Sequence, residues 1–132
     1  MDSPLTGLLV SEKDISGEVL HSALQGLIQI GKETGGVIPT SAFGALDRNS
    51  KILVYLLALR AASTLGVSQK VDATVGEIAA ILGIGAKSAG EAASRLKREF
   101  LVKTDKGYAV APDKLQIVAA QIQKAKTKKS KS

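Results

Sequence analysis

Cysteine and tryptophan are both absent from this chain of 132 residues. Without cysteine there is no disulfide, no thiolate zinc site, no iron–sulfur cluster and no thiol nucleophile. A single histidine, His21, leaves nothing for a histidine-rich metal site. Aromatic side chains are few: Phe43, Tyr55, Phe100 and Tyr108. That scarcity argues against single-stranded nucleic acid or RNA as a ligand, because proteins of that kind stack bases on aromatic platforms. No apolar run approaches the ~18 residues that cross a bilayer, and no charged stretch followed by an apolar one opens the chain. The expectation is a cytoplasmic protein without a membrane partner.

What is present reads as globular. Apolar residues make up 45% and charged residues 23%, with too much Leu, Ile and Val for a disordered chain. The length suits one domain, since ~100–150 residues is the commonest domain size. The net charge of +6 is unevenly spread. Residues 1–46 hold Lys13 and Lys32 against five acids, a net of −3, and residues 47–123 carry a net of +4. Residues 124–132 hold Lys124, Lys126, Lys128, Lys129 and Lys131 with no acid, a net of +5. A lysine, serine and threonine run of this kind is expected to form a disordered tail. It serves either as an arm for a polyanion, whose counterions it would release, or as a solubilising extension.

Along the chain, residues 1–13 show no period and read as a flexible lead-in; the single domain is expected over 14–123. Asp14 and Ser16 are candidate N-caps. Val19, Leu20, Ala23, Leu24, Leu27 and Ile28 then recur on one face of an amphipathic helix, which Gly35-Gly36 is expected to end. Residues 37–46 read as a loop with one helical turn after Thr40. From about 48 to 65 a helix is predicted whose segment Ile52 to Leu59 is apolar all round, so it is buried on several sides or lies in a subunit interface. Gly66 stops it, and 67–71 is a connector. Beyond Pro112-Asp113, Leu115, Val118, Ala119 and Ile122 form a helical stripe that needs cover, either from the body of the chain or from a homodimer built through the terminal helices.

Residues 74–112 carry most of the functional information. Thr74-Val75-Gly76-Glu77 is a capping box. A short helix with Ile78, Ala79, Ile81 and Leu82 apolar follows, then a Gly83-Ile84 turn. A second helix starts near Lys87 and runs to Arg98. Its apolar face is Ala89, Ala92, Ala93 and Leu96; Lys87, Ser88, Glu91, Ser94, Arg95 and Arg98 occupy the other face. Two short strands at 101–104 and 108–111 flank Asp105-Lys106-Gly107, a hairpin signal.

Helix, glycine-containing turn, helix and hairpin in this order resemble the winged helix-turn-helix superfamily over residues 48–112. The resemblance implies a mainly α fold with a small β-hairpin wing and additional N- and C-terminal helices. It implies double-stranded DNA as partner, with the second helix in the major groove and the wing on an adjacent groove or backbone. Lys87, Ser88, Ser94, Arg95 and Arg98 would then face the duplex, with Lys103 and Lys106 on the wing. The amides around Thr74 and Val75 would approach a phosphate. The function so implied is that of a small transcriptional regulator or a nucleoid-type binder. The alternative is a protein–protein interaction module, or a subunit of a larger nucleic-acid-processing assembly.

This chain departs from the family's pattern in three places. The front of the second helix, Ala86-Lys87-Ser88-Ala89-Gly90, offers few atoms for reading base edges. Phe100 stands where many winged helices have glycine. Gly90 costs about 1 kcal/mol of helix propensity, which points to a close approach by another surface.

Tempting catalytic patterns fail. Gly83-Ile84-Gly85-Ala86-Lys87-Ser88 has Ala86 and Ile81 where a phosphate-binding loop needs glycine, and Ser88 where the dinucleotide pattern needs its third glycine. His21 sits beside Ser22 on a polar helix face, and no paired carboxylates share a face. No enzyme activity, cofactor or metal is expected.

Overall fold

The structure, a computed structural model, describes residues 20–31, 33, 36–64, 66 and 71–130. The lead-in at 1–13, the N-cap candidates Asp14 and Ser16, Val19, Gly35 and Lys131 lie outside the described residues. Among the described residues there are six helices and two antiparallel strand pairs.

The first helix, α1, is described over 20–24 and ends well before the expected Gly35-Gly36. Gly26 turns the chain with φ +84, a conformation that L side chains avoid. β1 (Ile28–Ile30) then pairs with β2 (Val37–Pro39), with Gln29 opposite Ile38. Thr40 closes this hairpin: its hydroxyl donates to the Gly26 carbonyl at 2.8 Å, and its amide donates to the Leu27 carbonyl at 3.0 Å. The expected loop at 37–46 thus begins as strand, and its one helical turn is α2 (Ser41–Gly44). The apolar spacing misled because Leu20, Ala23, Leu24, Leu27 and Ile28 are all buried in one core although the helix stops between them.

α3 (Arg48–Thr64) is the axis of the fold. Every residue from Ile52 to Leu59 is buried, because α4, α5, α6, the first hairpin and a strand of the second all pack around it. Full burial of one such aliphatic side chain contributes about 1.5–3 kcal/mol. Ser50 is the buried polar residue at its start, and its hydroxyl donates to the Asp47 carboxylate.

α4 (Val75–Leu82) and α5 (Ala86–Lys97) follow, separated by Gly83, Ile84 and Gly85. The Thr74–Glu77 capping box is present in both directions. Ala89, Ala92, Ala93 and Leu96 of α5 are buried as their spacing predicts. β3 (Leu101–Lys103) pairs with β4 (Tyr108–Val110), Lys103 lying opposite Tyr108. Phe100 needs no replacement by glycine, since no described residue other than glycine has positive φ.

A turn of 3-10 helix, Pro112–Lys114, leads into α6 (Leu115–Ser130). Val118, Ala119 and Ile122 are buried, and α6 packs on α3, so the body of the chain covers the stripe. The stretch expected to be a disordered tail from 124 is helical as far as Ser130. A helix already held by packing extends at little cost, Ala and Lys are good helix formers, and lysines are favourable near a helix C-terminus.

Candidate nucleic-acid interface

The capping box fixes where α4 begins, and the strand pair fixes where the second hairpin sits beside it. Ala73 forms a bridge with Tyr108: the Ala73 amide donates to the Tyr108 carbonyl at 2.9 Å, and the Tyr108 amide returns the bond at 2.9 Å. The Thr104 hydroxyl donates to the Asp72 carboxylate at 2.8 Å and accepts from the Gly107 amide at 3.0 Å. The segment entering α4 is therefore laced to the hairpin by three hydrogen bonds, and the Gly107–Thr104 bond braces the hairpin turn itself. Gly107 makes this approach feasible, since a Cβ there would lie 1.9 Å from the Ala73 carbonyl oxygen.

On α5, Lys87, Ser94 and Arg95 are exposed, as is Glu91 among them, and Arg98, expected as the helix's last residue, is exposed as its C-cap. Ala86, Lys87, Gly90, Glu91, Ser94 and Arg95 line one shallow depression along the outer face of the helix. Ser88 differs: it is half-buried, and its hydroxyl accepts a hydrogen bond at 3.0 Å from Nη1 of Arg48, at the start of α3. Arg48 thus joins this face from 40 residues away. No local spacing in the sequence indicates it, because only the packing of α3 on α5 brings the two together. On the hairpin, Lys103 and Lys106 are exposed, and the Lys103 ammonium lies 5.2 Å from the centre of the Tyr108 ring, a cation–π contact.

Two expectations about this region change. The Thr74 amide is not open to a phosphate, because it donates to Glu77 Oε1 at 3.0 Å and so brings a carboxylate to the start of α4. That carboxylate, after burial itself, helps push the Tyr55 hydroxyl above its ordinary pKa. Gly90 is not required by a close approach either. A Cβ there would meet Val75 Cγ1 at 3.6 Å, an ordinary contact.

The basic run at the C-terminus divides. Lys124 is exposed and lines a cleft of about 880 Å³ with Leu53, Leu96, Glu99 and Phe100. Lys126 is half-buried, and its ammonium donates to the carbonyls of Ser22 and Gln25 at 3.2 Å each. Gln123 adds a hydrogen bond to the Ser22 hydroxyl at 2.9 Å. Lys126 therefore locks α6 to the end of α1 rather than belonging to a free arm. Lys128 and Lys129 lie within α6.

No helix among the described residues is long and apolar enough to cross a membrane. Comparison with known proteins finds no family model, no curated sequence and no solved structure that matches this chain.

Proposed function

We propose that this protein binds double-stranded DNA through a winged helix-turn-helix, with α5 in the major groove and the β3–β4 hairpin as the wing, as a small transcriptional regulator or a nucleoid-type protein. The observation that carries the reading is the helix–turn–helix–hairpin unit with its exposed cations: Lys87 and Arg95 on α5, Arg98 capping it, and Lys103 and Lys106 on the hairpin. Phosphate contacts carry no sequence information and need only charge and position, which exposed cations of this kind supply. Lysines of α6 beyond residue 126 would add to the attraction.

Fluorescence anisotropy with a labelled duplex tests this. Affinity is expected to fall steeply with salt, by roughly 0.9 log units per phosphate contact per log unit of salt. Replacing Arg95 and Arg98 together by Ala should weaken binding and leave the melting temperature unchanged. A wild-type protein that fails to bind any duplex at low salt would sink the proposal and leave the protein–protein interaction module as the better reading. A homodimer, the other cover expected for the α6 stripe, is separately testable by light scattering, where a mass of 13.7 kDa at high concentration rejects it.

A further inference from the structure

Apart from Lys87 and Arg95, whose donors suit guanine as well as phosphate, the outer face of α5 offers little that discriminates bases. Ala86 and Gly90 have no hydrogen-bonding side chain, and the Ser88 hydroxyl is already engaged by Arg48. Neither Asn nor Gln, the residues that read adenine in a bidentate manner, occurs between 86 and 98. Arg48, by contrast, is exposed while one of its donors is held at α5, so a cation from α3 extends the basic face beyond the recognition helix.

We infer that this face takes duplex DNA through its phosphates irrespective of base sequence, and that Arg48 is one of the phosphate contacts. The inference rests on the DNA-binding reading above and assigns its ligand class: any B-form duplex, not an operator of defined sequence. Arg48 is preset for this role, because the Ser88 anchor fixes its guanidinium beside α5 before any ligand arrives. Less side-chain freedom is then lost on binding. Glu91, exposed between Lys87 and Arg95, opposes the phosphates, so Glu91→Gln should tighten binding to every duplex alike.

The test uses the full chain, a labelled duplex, a second duplex of shuffled sequence, and the best duplex recovered by selection from a random pool. Affinities for the three are expected to agree within about threefold, against the ~10³-fold or greater preference of specific readers. Arg48→Gln keeps a donor for Ser88 and removes the charge. It should weaken binding to all three duplexes and make the log–log salt slope shallower by about 0.9. Ser88→Ala, which keeps the charge, should leave that slope unchanged.

A selected duplex preferred by three orders of magnitude overturns the sequence-independent reading, although DNA binding itself would stand. A wild-type slope in Arg48→Gln, alongside a shallower slope in the Arg95→Ala, Arg98→Ala double variant, removes Arg48 from the footprint. Absence of binding to all duplexes by the wild type fails the underlying reading instead, so the failures are distinct.

Discussion

Two glycines that approach the start of α4 have opposite tolerances. At Gly107 a methyl group would sit 1.9 Å from the Ala73 carbonyl oxygen and 2.8 Å from the Thr74 Cα, both of them backbone atoms that cannot swing aside. Gly107→Ala must part the Ala73–Tyr108 bridge, and with it two backbone hydrogen bonds. At about 0.5–1.5 kcal/mol for each bond, the loss should be roughly 1–3 kcal/mol in urea melts. Gly90→Ala meets only a Val75 methyl at contact distance, and it gains the helix propensity of alanine. It should stabilise by up to about 1 kcal/mol. A destabilised Gly90→Ala would mean that this part of α5 is more crowded than its surroundings indicate. Tyr55 provides the pH signature at this scale. Burial first and the Glu77 carboxylate second hold its hydroxyl proton more tightly in the folded state. The folded pKa therefore exceeds the unfolded value of about 10. The associated stability is complete below that value and declines as pH rises through the folded pKa. Thermal melts taken upward from neutral pH should fall more steeply above about pH 10 for wild type than for Tyr55→Phe.

Among the elements, α4 depends most visibly on a local device. Thr74 accepts from the Glu77 amide at 3.1 Å, and Glu77 accepts from the Thr74 amide. Thr74→Ala removes half of this exchange and should cost about 1 kcal/mol, measured by chemical denaturation. An unchanged midpoint would show that packing alone holds the start of the helix. This capping box, the α3 span, the α4–α5 pair and the β3–β4 hairpin were all legible in the sequence. Each is written in short-range chemistry: a Thr-x-x-Glu, an unbroken apolar run, an alanine face, and a glycine turn between short strands. The first hairpin was not legible, because Leu27 and Ile28 continue the helical spacing of α1 while belonging to a different element. The extent of α6 was not legible either, because the lysines that mark a disordered tail are themselves good helix formers. In the candidate site, the exposure of Lys87, Arg95, Arg98, Lys103 and Lys106 followed from helical and strand periodicity. The contact between Arg48 and Ser88 did not, since tertiary packing alone creates it.

At the scale of the whole molecule, the C-terminal lysines include one with a structural role, Lys126, and one that is exposed, Lys124. Lys126 holds two carbonyls at the end of α1, while Val118, Ala119 and Ile122 anchor the same helix on α3. These described anchors of α6 all lie at or before residue 126. Deleting residues 127–132 removes Lys128, Lys129 and Lys131 but none of these anchors. That truncation should leave the melting temperature nearly unchanged and flatten the salt dependence of duplex binding, by about 0.9 for each lysine that had contacted a phosphate. Lys126→Ala should do the reverse. It loses two hydrogen bonds to backbone carbonyls, so it should lower stability by about 0.5–1.5 kcal/mol, discounted for solvent exposure, while the slope stays within one contact of wild type. Measuring melting temperature and salt slope on both variants separates the two roles. Equal slopes for the full chain and the truncation would reduce the last lysines to a solubilising extension, with duplex binding resting on the α5 face and the hairpin alone.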